Sequence, residues 1–143
     1  MPTTFRTAIA DGMYAVLVAY ATANPPQLGR AYRARPGNPT KDLPAAWVDA
    51  RPETIGHSEG VRTRTMNPSV VVVRSGGDNP EIAQAFDHLV DGLVDAFTAV
   101  PQFASGTIWD QLTIDDEEVV FGELLLPAVR FTFPNISIME GRD

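Results

Sequence analysis

Apolar positions along the chain fall into two helical stripes separated by short strand-like runs. Phe5, Ile9, Met13, Val16 or Leu17, and Tyr20 recur every three to four residues, so they line one face of a first helix. Asn24-Pro25-Pro26 ends it. The stretch Asn67–Phe97 organises the rest. Val70–Val73 form an unbroken β-branched run, as a central strand covered on both faces requires. Ser75-Gly76-Gly77-Asp78 then breaks the strand, Asn79 stands at a helix N-cap, and Pro80 takes the first helical position, where no N–H is needed. Ile82, Phe86, Leu89, Leu93 and Phe97 share one face of a second helix that ends near Val100, before Pro101.

Between the helices, Leu28–Met66 reads as long, irregular and strand-rich. Ala31–Arg35 and Ala45–Ala50 read as short strands joined by the turn Arg35-Pro36-Gly37-Asn38-Pro39, with Pro44 and Pro52 marking the second as short or at an edge. Val61–Thr65 alternates, with Arg62 and Arg64 on one face. His57 falls in a Gly56–Gly60 loop. After the second helix, Thr107–Ile114 reads as a strand and Asp115–Glu118 as an acidic turn. Val119–Phe121 opens a return strand that continues as Leu124–Phe133, with Pro127 marking a bulge or an edge. The tail from Pro134 is expected on the surface. The pattern predicts an α+β domain spanning residues 1–143: one mixed or antiparallel sheet of four to six strands against two amphipathic helices. A long extended, arm-like segment over about 28–66 precedes the central strand.

Composition adds limits. The 143 residues hold 44% apolar and 20% charged side chains, ordinary for one globular domain. With no cysteine, disulfides, thiolate metal sites and cysteine nucleophiles are excluded. The first helix imitates a signal peptide, because Arg6 precedes an apolar run and Ala21-Thr22-Ala23 resembles a cleavage site. Asp11 interrupts that pattern and the run is too short to span a membrane, so a folded helix is the expectation.

Charge changes the picture more. Residues 1–74 carry nine Lys/Arg against five Asp/Glu, and residues 75–143 carry two against thirteen. A solvated surface can scatter charge this way by chance, but a head-to-tail contact between copies needs such a split. The candidate interface residues are Arg30, Arg33, Arg35, Arg62 and Arg64 on the basic side, and Asp87, Asp91 and Asp95, spaced four apart on the second helix, on the acidic side.

No catalytic, metal or cofactor site emerges. His88 lies between Asp87 and Asp91, but no motif supplies a further ligand. Ser58 beside His57 is only a sequence neighbour, and there is no GxSxG elbow. Ser75–Asp78 lacks the lysine and the spacing of a phosphate loop, and Asp115–Glu118 lacks calcium-loop spacing. Tyr32 among Arg30, Arg33 and Arg35 is the kind of footprint nucleic acid uses, although overall acidity opposes it.

The order of these elements carries a resemblance. A long helix leads to AYRARP, then LPAAWVDARPE, an Arg/Thr strand, VVVVR, a helix with HLVDGLVDAF, and a closing PAVRFTF. From about Thr4 to Phe133 this resembles the tail terminator, or tail completion, proteins of long-tailed bacteriophages. The resemblance implies a small α+β virion subunit, made in the host cytoplasm, forming a homohexameric ring at the head-proximal end of the tail tube. Its implied partners are further copies of itself, the major tail tube protein and the head–neck connector protein, with DNA passing non-specifically through the lumen and no membrane. It implies no enzyme activity and no cofactor. A head-completion or neck protein of similar size, or a small dimeric ligand-binding domain using His57 or His88, are the alternative expectations.

Overall fold

The computed structural model describes residues 4–23, 28–49, 53–77 and 79–141. The protein is α+β. Helix α1 (Phe5–Ala23) precedes strands β1 (Arg30–Tyr32), β2 (Ala45–Asp49), β3 (Glu53–Ser58), β4 (Val61–Met66) and β5 (Ser69–Val73). Helix α2 (Pro80–Thr98) then leads to β6 (Thr113–Phe121), β7 (Leu124–Thr132) and β8 (Ile136–Gly141). The main sheet has the order β1-β2-β5-β7-β6, antiparallel except for the parallel β1–β2 pair. A second antiparallel sheet has the order β3-β4-β8.

Strand β5 is buried at all five positions. Val70 and Val72 face the helices, while Val71 and Val73 face the opposite side. On the helix side they join Phe5, Ile9, Met13 and Leu17 of α1 and Phe86, Leu89, Leu93 and Phe97 of α2. On the back they join Trp47, Val119, Phe121 and Leu126, with Tyr32 and Leu43 packed against them. Asn79 caps α2 by accepting a hydrogen bond from the Glu81 N–H at 2.9 Å, as its sequence position predicts.

Several expected elements are placed differently. The first strand stops at Tyr32 instead of Arg35. His57 lies in β3, paired with Arg62 of β4, and not in a loop. Thr107–Ile114 is mostly a folded return, because Trp109 is tied to the end of α2. Its indole N–H donates to the Val100 carbonyl at 2.7 Å, its backbone N–H donates to the Pro101 carbonyl, and its ring packs 5.0 Å from Phe133. Asp115–Glu118 is no turn: it lies inside β6, facing Arg130 to Pro127 of β7. The hairpin turns at Gly122, where φ is +61°, so Val119–Phe121 ends one strand instead of opening the next. Residues after Pro134 form β8 against β4, with Ile136 buried. The described part of 28–66 contains four strands, two in each sheet. Ala50, Pro52 and the Asn24-Pro25-Pro26 stop lie outside the described residues, as does Asp78.

Pro127 is tolerated inside the sheet for a geometric reason. Its carbonyl accepts from the Arg74 N–H, just past the last β5–β7 pair at Val73 and Ala128. Its nitrogen points to the same side, away from β6, so the β6–β7 ladder loses no bond and only the reciprocal bond to the Arg74 carbonyl, at the end of β5, is forgone.

In each helix a glycine lets another segment approach closely. A Cβ on Gly12 of α1 would collide with the backbone carbonyl of Phe103, and one on Gly92 of α2 would meet the Tyr20 ring and hydroxyl. Gly12→Ala is therefore expected to cost about 1–3 kcal/mol through overpacking, despite alanine's better helix propensity. Gly37→Ala, with open space around it, should stay within about 0.5 kcal/mol. Urea midpoints of the two variants check this. Burial, and secondarily Asp95, raise the Tyr20 pKa. The unfolded chain then releases that proton first, so stability complete below about pH 10 falls as pH climbs through the raised value. Tyr20→Phe should flatten that alkaline loss in the same titration.

Candidate functional site

Two of the grooves among the described residues carry charge of opposite sign. The first begins at the start of α1, passes the end of β1 and opens on to the back face. It holds about 550 Å3 and is lined by Arg6, Arg33, Arg35 and Arg130 with a single carboxylate, Asp49. Trp47 and Val119 give it an apolar floor. Because β1 pairs with β2 only as far as Trp47, Val48 and Asp49 border this groove without a β1 partner.

Its arginines are held in place. Arg33 donates to Asp11 at 2.8 Å. Arg35 donates to the Val120 carbonyl and lies 4.8 Å from the Phe121 ring centroid and 5.9 Å from that of Trp47. It thereby ties the segment after β1 to the tip of the β6–β7 hairpin. Arg130 donates to Glu117 at 2.6 Å, to the buried Ser69 hydroxyl at 2.6 Å and to Asp49 at 3.4 Å. Burial alone would push its pKa down, but the hydrogen bonds and charges of Glu117 and Asp49 hold it raised.

The second groove lies between α2 and the β6–β7 hairpin. It holds about 670 Å3 and is lined by Asp87, Asp116, Glu117 and Glu118 with a single arginine, Arg74. Period-two alternation sends Asp116 and Glu118 to the helix side of the sheet, while Glu117 joins Arg130 on the back. Arg74 sits over the Phe86 ring at 5.8 Å and donates to the Ser75 carbonyl at 3.0 Å. Asp87, Asp116 and Glu118 are exposed and form no ion pair among the described residues.

The sequence-selected residues divide between these places. Arg33 and Arg35 lie in the basic groove and Asp87 in the acidic one. Arg30 lies on β1 beside the Tyr32 ring, 3.9 Å from Asp42. Arg62 and Arg64 lie on β4 of the second sheet, outside both grooves. Asp91 and Asp95 are exposed on α2 but do not line the acidic groove. The grooves also use Arg6, Asp49, Asp116, Glu117, Glu118 and Arg130, none of which charge counting selected. Alternation of Arg130 with its apolar neighbours, and of the β6 carboxylates once read as a strand, is the signal that finds most of them.

His57 and His88 are exposed and stand on different elements, β3 and α2. Among the described residues no group of three or more His, Asp or Glu side chains is placed to hold a metal. No helix among them is long and apolar enough to cross a membrane. Neither protein-family models nor curated proteins match this sequence.

The Arg130 cluster has a measurable consequence. Arg130→Met leaves Asp49 and Glu117 facing one another without a cation, and leaves the buried Ser69 hydroxyl without that partner. The expected loss is about 1–3 kcal/mol, larger at low ionic strength, read from urea unfolding at two salt concentrations.

Proposed function

We propose that this protein is a phage virion subunit whose ring caps the head-proximal end of the tail tube. In this reading it stops tube polymerisation, joins the tail to the neck and catalyses no reaction. The observation that carries the reading is the separation of charge into two neighbouring grooves, one lined by arginines and one by carboxylates, that meet at the Arg130–Glu117 ion pair. Closed rings require heterologous contacts, in which one patch meets a different, complementary patch on the next copy. A solitary domain has no such requirement.

The whole-chain resemblance to tail terminators supplies the setting, as an argument from pattern. Apolar side chains outside both grooves add a further surface. Val120 and Leu125 at the hairpin tip are each 55% exposed, and Met139 on the second sheet is 72% exposed. They offer contact points for the tube protein on one side of a ring and the neck connector on the other.

The test has two parts. Light scattering on a sizing column should give a mass near six copies of 15.5 kDa, about 93 kDa, with rings visible by negative-stain microscopy. Added to the polymerising tail tube protein of the same phage, the protein should bind tube ends and halt growth. Tubes that lengthen unchanged overturn the terminator role. Binding to the connector with no effect on tubes would move the assignment to head completion, and a compact dimer would move it to a ligand-binding domain.

A further inference from the structure

The outer strand β6 is regular from end to end. Thr113–Phe121 pairs residue for residue with Thr132–Leu124 of β7, with no bulge and no proline on β6 itself. The direction of its backbone groups follows from its neighbour. The Pro127 carbonyl accepts from the Arg74 N–H, and the Phe133 N–H donates to the Pro68 carbonyl. Odd-numbered residues of this stretch therefore turn their backbone groups to the β5 side. Ala128, Arg130 and Thr132 turn theirs to Glu117, Asp115 and Thr113, which leaves those of Ile114, Asp116, Glu118 and Val120 pointing out of the sheet. Arg35 closes this edge at the Val120 carbonyl. From Ile114 to Glu118 no strand covers it among the described residues.

The side chains along the edge decide what can join it. Alternation places Ile114, Asp116 and Glu118 in one row on the helix side, with Asp87 of α2 lining the same groove as the two acids. All four are exposed, and the three carboxylates form no ion pair among the described residues. Charged residues guard an edge, but guarding is commonly joined to shortness, a bulge or a proline, and β6 has none of these. Its geometry stays fit for one more strand, and charge restricts which.

We propose that β6 accepts an extended segment of a partner protein as an added antiparallel strand. An apolar side chain of that segment lies against Ile114, and lysine or arginine lies against Asp116 and Glu118. The two cations stand two residues apart, so they share a face and also meet Asp87. This sequence has basic residues two apart only at Arg33/Arg35 and Arg62/Arg64. Arg33 and Arg35 are held by Asp11 and the Val120 carbonyl, and β4, which carries the other pair, already has a strand on each side. The occupant is therefore a different protein and not a second copy.

The probe is a fluorescein-labelled peptide, Thr-Lys-Thr-Lys-Thr-Val-Thr, titrated with the full chain at low ionic strength and followed by anisotropy. Its lysines fall opposite Glu118 and Asp116 and its valine opposite Ile114, while threonine favours the extended form. Saturable binding is expected, and none for the peptide with glutamate in place of lysine. D116N/E118Q, checked for folding by circular dichroism, should bind about tenfold more weakly. Methylating the two lysine amide nitrogens should weaken binding at least as much, because those N–H groups face β6 while the charges are unchanged.

Equal binding of the methylated peptide would mean a charge contact with no added strand, and overturns the proposal. Undiminished binding by D116N/E118Q overturns it too. So does an absence of saturable binding by the parent, which leaves the β6 carboxylates as edge protection only. The contact goes beyond the ring reading and does not depend on it: a chain that runs as a monomer in light scattering removes the self-assembled ring and leaves the added strand standing.

Discussion

The structure depends on one constraint: β5 is apolar on both faces and must be covered twice. Five buried residues, four of them valines, leave no polar side to turn to water. Two helices cover one face. The other is covered by the segment leaving β1 and by the twisted hairpin β6–β7, which bring Leu43, Val119 and Phe121 over Trp47, Val71 and Val73. Arg35 fastens these two covers to one another, with its guanidinium against two rings and a backbone carbonyl. A cation holds this position better than an apolar residue would, since it packs on the rings and still satisfies the Val120 carbonyl.

The same face changes character along its length. Towards the Phe121 end it is a small apolar core, and towards Ser69 it becomes a polar cluster around Arg130. Asp49, Ser69 and Arg130 occupy three neighbouring strands, so the cluster ties β2, β5 and β7 together where apolar packing gives out. Glu117 adds β6 to the same network. With Arg130 partly exposed, the contribution is that of a hydrogen-bonded network and not of a buried ion pair, whose desolvation would offset much of its attraction.

How far the fold was legible followed from how local its signals are. α1, α2 and β5 each announce themselves within a few residues, through period, cap or an unbroken valine run. β3, β4 and β8 form a separate sheet whose pairing spans from Glu53 to Gly141, and neither Gly56 nor the short run after Pro134 carries a strong local strand signal. β6 is hidden in the sequence because four consecutive carboxylates look like a solvated turn. In a strand they divide between faces, and Arg130 of the adjacent strand neutralises only one side. The same run hides part of the candidate site. Charge counted along the sequence found Arg33, Arg35 and Asp87 but drew Asp91 and Asp95 in with them, whereas only the fold shows Arg6 beside Arg33 and Asp87 beside Asp116.

That rearrangement bears on why the chain keeps its charge segregated. A mixed sheet whose two edges have no partner among the described residues risks pairing either edge with any strand it meets. Here the edges differ: β1 is three residues long and flanked by arginines, while β6 is nine residues long and studded with carboxylates. Two β6 edges repel one another, as do two arginine grooves, so self-association through like edges is disfavoured on both sides. The charge pattern thus disfavours random edge pairing and a symmetric edge-to-edge dimer by the same means.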